Sequence, residues 1–150
     1  MKNVVLILVS FLFIAFTIKT IDIGKYTLEV EEVINKKTVW EAGGAVTAKN
    51  KHKYVGVKAV FTPKDKKDNS LNVDDFTLHA GDEEYAMTIP KKQDVFFSGA
   101  NMIKVRKPKK KSIIAVVPKS FKEGTLYYKD KKIGKIICDN DKGGSFLMEE

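Results

Sequence analysis

The chain has one cysteine among its 150 residues, one arginine and two histidines. A lone thiol cannot close an intrachain disulfide, and Cys138, in a strand-like pattern with Ile136, reads as a small buried hydrophobe. With Arg106 as the sole arginine, the net charge of +8 is almost wholly lysine. Lysine is a hydrated point charge and lacks the planar fork that reads phosphate or carboxylate bidentately, so the excess reads first as a solubility trait. His52 falls in a polar turn and His79 on an outward-facing position. No Gly-x-Ser-x-Gly setting or similar arrangement supplies a nucleophile and an orienting carboxylate, so neither imidazole is placed for catalysis. The Gly43-Gly44 pair lacks the following helix that phosphate cradling needs, and reads as a tight turn. No catalytic, cofactor-binding or metal-ligating residue is assigned, and the chain is not expected to be an enzyme.

The chain has only one long apolar run. Met1-Lys2-Asn3 precedes Val4–Ile18, which is closed by Lys19. A basic head followed by an apolar stretch of this length has the form of a secretory signal, and falls just short of a comfortable membrane span. Ala15-Phe16-Thr17 is a poor cleavage site, and no cysteine follows for lipid attachment. Residues 1–20 are therefore expected to be a signal peptide or a membrane anchor, with a domain over 21–150. That places the protein outside the cytoplasm, secreted or held in the membrane by its N-terminal segment.

The domain is written in period two. In Tyr54–Thr62, Val55, Val57, Ala59 and Phe61 alternate with Tyr54, Gly56, Lys58 and Thr62, the pattern of a strand buried on one face and wet on the other. Tyr26, Leu28 and Val30 begin another strand, whose phase slips at Glu31-Glu32 as at a bulge. Asn35-Lys36-Lys37 reads as a turn, Thr38-Val39-Trp40 as a strand entering a hairpin at Gly43-Gly44, and Pro63–Ser70 as a charged loop. Phe76 and Leu78 lie on a strand before Gly81-Asp82-Glu83-Glu84, and Tyr85 opens the next. Ile113–Val117 is a continuous apolar strand stopped by Pro118, and Thr125–Lys129 and Ile133–Cys138 flank a turn at Asp130-Lys131-Lys132. About six to eight short strands with turns between them imply an all-β sandwich.

Two stretches invite a ligand. Asp139-Asn140-Asp141-Lys142-Gly143-Gly144, with Glu150, sets acids at positions 1, 3 and 12 and glycine at 6 of an EF-hand-like loop. Gly143 and Leu147 fill two ligand positions without ligands and a strand precedes the loop, so a frayed polar tail is expected instead. The densest charge is Lys104, Arg106, Lys107, Lys109, Lys110 and Lys111 around Pro108. Like charges this close repel, so the run reads as a solvated loop. Its natural partner is a polyanion, acidic lipid or an anionic wall polymer. Nucleic acid ranks last, because no aromatic interleaves the lysines to stack bases.

The order of features resembles a group of bacterial extracytoplasmic immunoglobulin-like domains of unknown function, related to secreted immunoprotective antigens. The residues that carry it are the strand Tyr54–Thr62, then Asp75-Phe76-Thr77-Leu78 and Gly81-Asp82-Glu83-Glu84-Tyr85, then Val117-Pro118 and Leu126-Tyr127-Tyr128-Lys129-Asp130. The chain differs from the pattern at Ala115, where such strands often carry phenylalanine, and at Pro108-Lys109, where a Pro-Gly turn is usual. The resemblance implies an immunoglobulin-like sandwich behind the N-terminal leader or anchor helix, and no activity. The expected role is a non-catalytic binding module whose partner is an envelope or extracellular macromolecule, with membrane association through the N-terminal segment.

Overall fold

The structure, a computed structural model, describes residues 20–41, 44–67, 69–90, 101–140 and 143–148. The expected leader Val4–Ile18 lies outside them. Among the described residues no helix is long and apolar enough to cross a membrane. They form an all-β fold of thirteen strands: β1 (Ile21–Asp22), β2 (Tyr26–Lys36), β3 (Thr38–Glu41), β4 (Gly44–Thr47), β5 (His52–Pro63), β6 (Ser70–Asn72), β7 (Phe76–Ala80), β8 (Glu83–Ala86), β9 (Met102–Lys104), β10 (Lys109–Pro118), β11 (Glu123–Tyr128), β12 (Lys131–Cys138) and β13 (Gly144–Met148). One antiparallel sheet runs β1-β2-β5-β10 and a second runs β13-β12-β11-β7-β8, with two small ribbons, β3-β4 and β6-β9.

Strand β5 has the face expected of it. Val55, Val57, Ala59 and Phe61 are all fully buried. Leu28, Val30, Val33 and Asn35 of β2 stand opposite Phe61, Ala59, Val57 and Val55 and so share that face. Across the core they meet Phe76, Leu78, Leu126 and Ile136 of the second sheet in one apolar cluster. Two sheets packed across a common core are consistent with a β-sandwich. The register of β2 slips between Val30 and Glu32, as the doubled glutamate implies.

The other face of β5 is not simply wet. At its N-terminal end Tyr54 joins Ile34, Ile114, Val39 and Ala48 in a second buried cluster. The β3-β4 hairpin folds over the outside of the first sheet there, and Val39 supplies its inward side chain, opposite Val46. Gly56 lies beneath, where a Cβ would fall 2.0 Å from the Ile113 carbonyl oxygen, so only hydrogen fits between the strands. Trp40, one position on from Val39, points outward and is 78% exposed.

Three local expectations change. Asn35 is not in a turn: β2 continues through it, and its buried side chain reaches the residues flanking the β12-β13 connection, where Nδ2 donates to the carbonyls of Asp139 (2.7 Å), just after β12, and Gly143 (3.1 Å), just before β13. The C-terminal segment is not a frayed tail, because β13 pairs along β12 with Phe146 opposite Ile136. An amide spanning the sheets and a ladder of backbone bonds order a stretch that reads as polar. The basic run is not one solvated loop either. Lys104 ends β9, Val105 is fully buried, and Lys109, Lys110 and Lys111 open β10 opposite Phe61, Val60 and Ala59. Pairing with the central strand offsets the repulsion that favours a loop.

Candidate functional site

Strand alternation divides the basic run. Lys109 and Lys111 leave on the same side of the sheet as Phe61 and Ala59, at the open end of the core, while Lys110 leaves on the opposite side. There Lys110 Nζ lies 2.6 Å from a carboxylate oxygen of Glu31, at the β2 bulge. The pair is partly exposed and adds at most about 1 kcal/mol, but it removes Lys110 from the charge free to meet a ligand. Lys109 Nζ reaches the Lys104 carbonyl at 3.4 Å. The run does not present a single line of charge.

Lys104 and Arg106 instead enter a different grouping. The β6-β9 ribbon pairs Ser70 with Lys104 and Leu71 with Ile103. Leu71, Ile103 and Val105 are buried in the main core, so Ser70, Lys104 and Arg106 alternate outward around them. The amide of Val105 donates to the Asn69 carbonyl at 2.7 Å and extends the pairing past the end of the ribbon. Asn69 Nδ2 donates in turn to the Lys66 carbonyl at 2.8 Å, which folds the charged loop back and sets Lys66 at the same place. Lys66, Asn69, Ser70, Lys104 and Arg106 line one open cleft of about 490 Å³.

Among the described residues the lining holds three cations and no carboxylate. Other lysines carry acidic partners: Lys36 with Glu32 at 3.1 Å, Lys135 with Glu123 at 2.8 Å, and Lys64 with Asp22. The Lys64 ammonium and the Gly24 amide hold the Asp22 carboxyl below its ordinary range. None of Lys66, Lys104 and Arg106 is ion-paired with a described residue. Lys66, Asn69 and Ser70 are absent from the residues singled out in the sequence, because a ribbon joining segments more than thirty positions apart brings them in. The one local signal is the lysine-rich loop Pro63–Ser70.

The remaining candidates have structural surroundings. His52 Nδ1 lies 3.0 Å from the Asn50 carbonyl oxygen. His79 sits on the outer face of β7, with Nε2 2.9 Å from Thr77 Oγ1 and its ring 4.5 Å from that of Tyr127. Cys138 is half-buried at the end of β12, and burial pushes its thiol above the ordinary range, with Lys53 opposing and Asp139 reinforcing the shift. A thiol held protonated is a poor nucleophile. In the EF-hand-like stretch, the Asp139 carbonyl accepts from Asn35, and Asp141 and Glu150 lie outside the described residues. Among the described residues no group of three or more His, Cys, Asp or Glu is placed to hold a metal ion.

The chain matches no family model, no curated protein and no solved structure.

Proposed function

We propose that the protein is a non-catalytic binding domain of immunoglobulin-like type, exported from the cytoplasm and acting on another macromolecule at the cell envelope. The observation that carries this reading is the apolar run Val4–Ile18 behind a basic head, set directly ahead of a two-sheet β domain that begins at Ile21. The spaced residues Tyr54–Thr62, Phe76, Tyr85, Val117-Pro118 and Leu126–Asp130 fall on β5, β7, β8, β10 and on β11 with the turn after it, which supports the immunoglobulin-like assignment. Recognition then falls to the surface: the exposed Trp40 on the β3-β4 hairpin, and the basic residues around β9 and β10.

A second reading, binding of a polyanion such as acidic lipid or wall polymer through lysine charge alone, is favoured by the cleft, whose described lining residues include three cations and no carboxylate. One experiment separates the two. The protein is incubated with washed cell-envelope material at rising salt, beside a variant with Lys107, Lys109, Lys110 and Lys111 replaced by glutamine. Contact through a defined interface predicts retention that survives about 0.5 M salt, where the screening length is only a few ångströms. Charge alone predicts retention that is weaker in the variant at low salt and lost in both proteins at that ionic strength. The four lysines are exposed or half-buried, so the variant's melting temperature is expected to match the wild type's. A wild type not retained at any salt concentration contradicts both.

A further inference from the structure

We infer that the cleft of Lys66, Asn69, Ser70, Lys104 and Arg106 is a built site for a single tetrahedral phosphate group. This deepens the second reading and rests on it. The ligand is not a diffuse polyanion laid along a lysine run, but one phosphoryl group held by donors from two chain segments.

The cleft is held in place by the core beneath it. Three exposed cations brought together by a flexible loop would drift apart under their own repulsion. Here Lys104 ends a ribbon whose Leu71 and Ile103 are anchored in the main core, and Arg106 follows the buried Val105, whose amide is bonded to the Asn69 carbonyl. The third is tied back by the Asn69 amide on the Lys66 carbonyl. The ribbon continues into one turn of 3-10 helix, Val73–Asp75, and the Val73 amide donates to the Asn101 carbonyl at 2.7 Å. The side of the ribbon away from the charged loop is therefore fixed as well. Like charges held close by packing favour a counter-anion between them.

The donors suit a phosphate. Arg106, the only guanidinium in the chain, offers a planar fork that grips two oxygens of one phosphate. Lys66 and Lys104 add point charges, and the Ser70 hydroxyl, opposite Lys104 on the ribbon, adds a neutral donor. Among the described lining residues no side chain is anionic. A carboxylate has two oxygens to share among the fork and the remaining donors, whereas a phosphate has more oxygens, set tetrahedrally, and a larger charge for three cations to meet. A volume of about 490 Å³ admits the phosphate with part of whatever carries it.

The test is an amide chemical-shift titration on the ¹⁵N-labelled full chain in a nonionic detergent, at fixed ionic strength. The probes are inorganic phosphate and short-chain phosphatidylglycerol below its micelle concentration, with sodium chloride and short-chain phosphatidylcholine as controls. Shifts confined to residues 66–70 and 104–106 are expected with phosphate and not with chloride. Arg106→Lys keeps the charge but loses the fork, and is expected to weaken binding about tenfold. Lys107→Gln, outside the cleft, leaves binding unchanged. Stronger binding of phosphatidylglycerol than of inorganic phosphate assigns the group to a lipid headgroup, and the reverse assigns it to a soluble phosphate.

Shifts spread evenly over all lysines, or an Arg106→Lys variant that binds as tightly as the wild type, overturn the site and leave only charge. No phosphate-specific shift at all also overturns it. Low-salt retention on envelope material that weakens when Lys107, Lys109, Lys110 and Lys111, all outside the cleft, are replaced by glutamine would still stand in that case, so the failure of this site and the failure of the polyanion reading are distinguishable.

Discussion

Phe61→Ala is expected to lower stability by about 3–5 kcal/mol, whereas Lys58→Ala, on the same strand, changes it by no more than about 0.5 kcal/mol. Phe61 is fully buried, and its ring meets Phe76 of the opposite sheet edge-on at 6.2 Å between centroids. Phe76 in turn lies 4.8 Å from Tyr128, so the truncation opens a hole where the two sheets touch. Backbone paired on both sides by β2 and β10 cannot collapse to fill it. Lys58 faces the other way, between Glu32 and Ser112, and loses little on truncation. Against a total of about 5–15 kcal/mol for a typical domain, the phenylalanine effect is a large share. Urea denaturation measures both. Comparable losses from the two changes would mean that the faces of β5 are wrongly assigned.

Asn35→Asp is expected to cost about 3 kcal/mol at neutral pH, from a change of one atom. The amide donates to two carbonyl oxygens across the sandwich. A carboxylate there turns two attractions into two repulsions in a partly buried place. The new carboxyl is thereby pushed above its unfolded pKa, because its charged form is disfavoured only in the folded state. The folded protein then binds the proton more tightly, so the deficit is least below the unfolded carboxyl pKa and grows as pH rises through the folded one. Denaturation curves at about pH 4 and pH 7 should show the gap from wild type widening with pH. A gap that is small and flat with pH would mean that Asn35 does not join the sheets.

These two residues differ in how plainly the sequence shows them. Phe61 is legible because strand alternation is local: Val55, Val57, Ala59 and Phe61 announce a buried face without reference to any other segment. Asn35 is not legible, since its partners lie more than a hundred residues away and an Asn-Lys-Lys triplet is the common chemistry of a turn. The covered outer face of β5 is hidden for a similar reason. Val39, Val46 and Ala48 make a cluster only when the hairpin folds over Ile34 and Ile114. In β13 the alternation of Phe146 and Met148 is present, but a few residues of it are outweighed by the acidic and glycine-rich residues just before them.

The candidate site divides along the same line. The charge density of Lys104–Lys111 is a local property and is visible at once. Its division among an ion pair with Glu31, the open end of the core and a separate cleft depends on register, which composition does not reveal. Likewise, Lys66 and Ser70 join Lys104 and Arg106 only through the β6-β9 pairing.

The claim on which the functional reading depends most is location, and protease accessibility on intact cells tests it most directly. The chain is expressed with a C-terminal epitope, and whole cells are treated with a protease that does not enter them, beside lysed cells. The account predicts that the epitope appears in the membrane or culture-medium fraction and is cleaved on intact cells, and that deleting Met1–Ile18 turns it into a soluble protein protected until lysis. Full-length chain that is soluble and protected inside intact cells would contradict it.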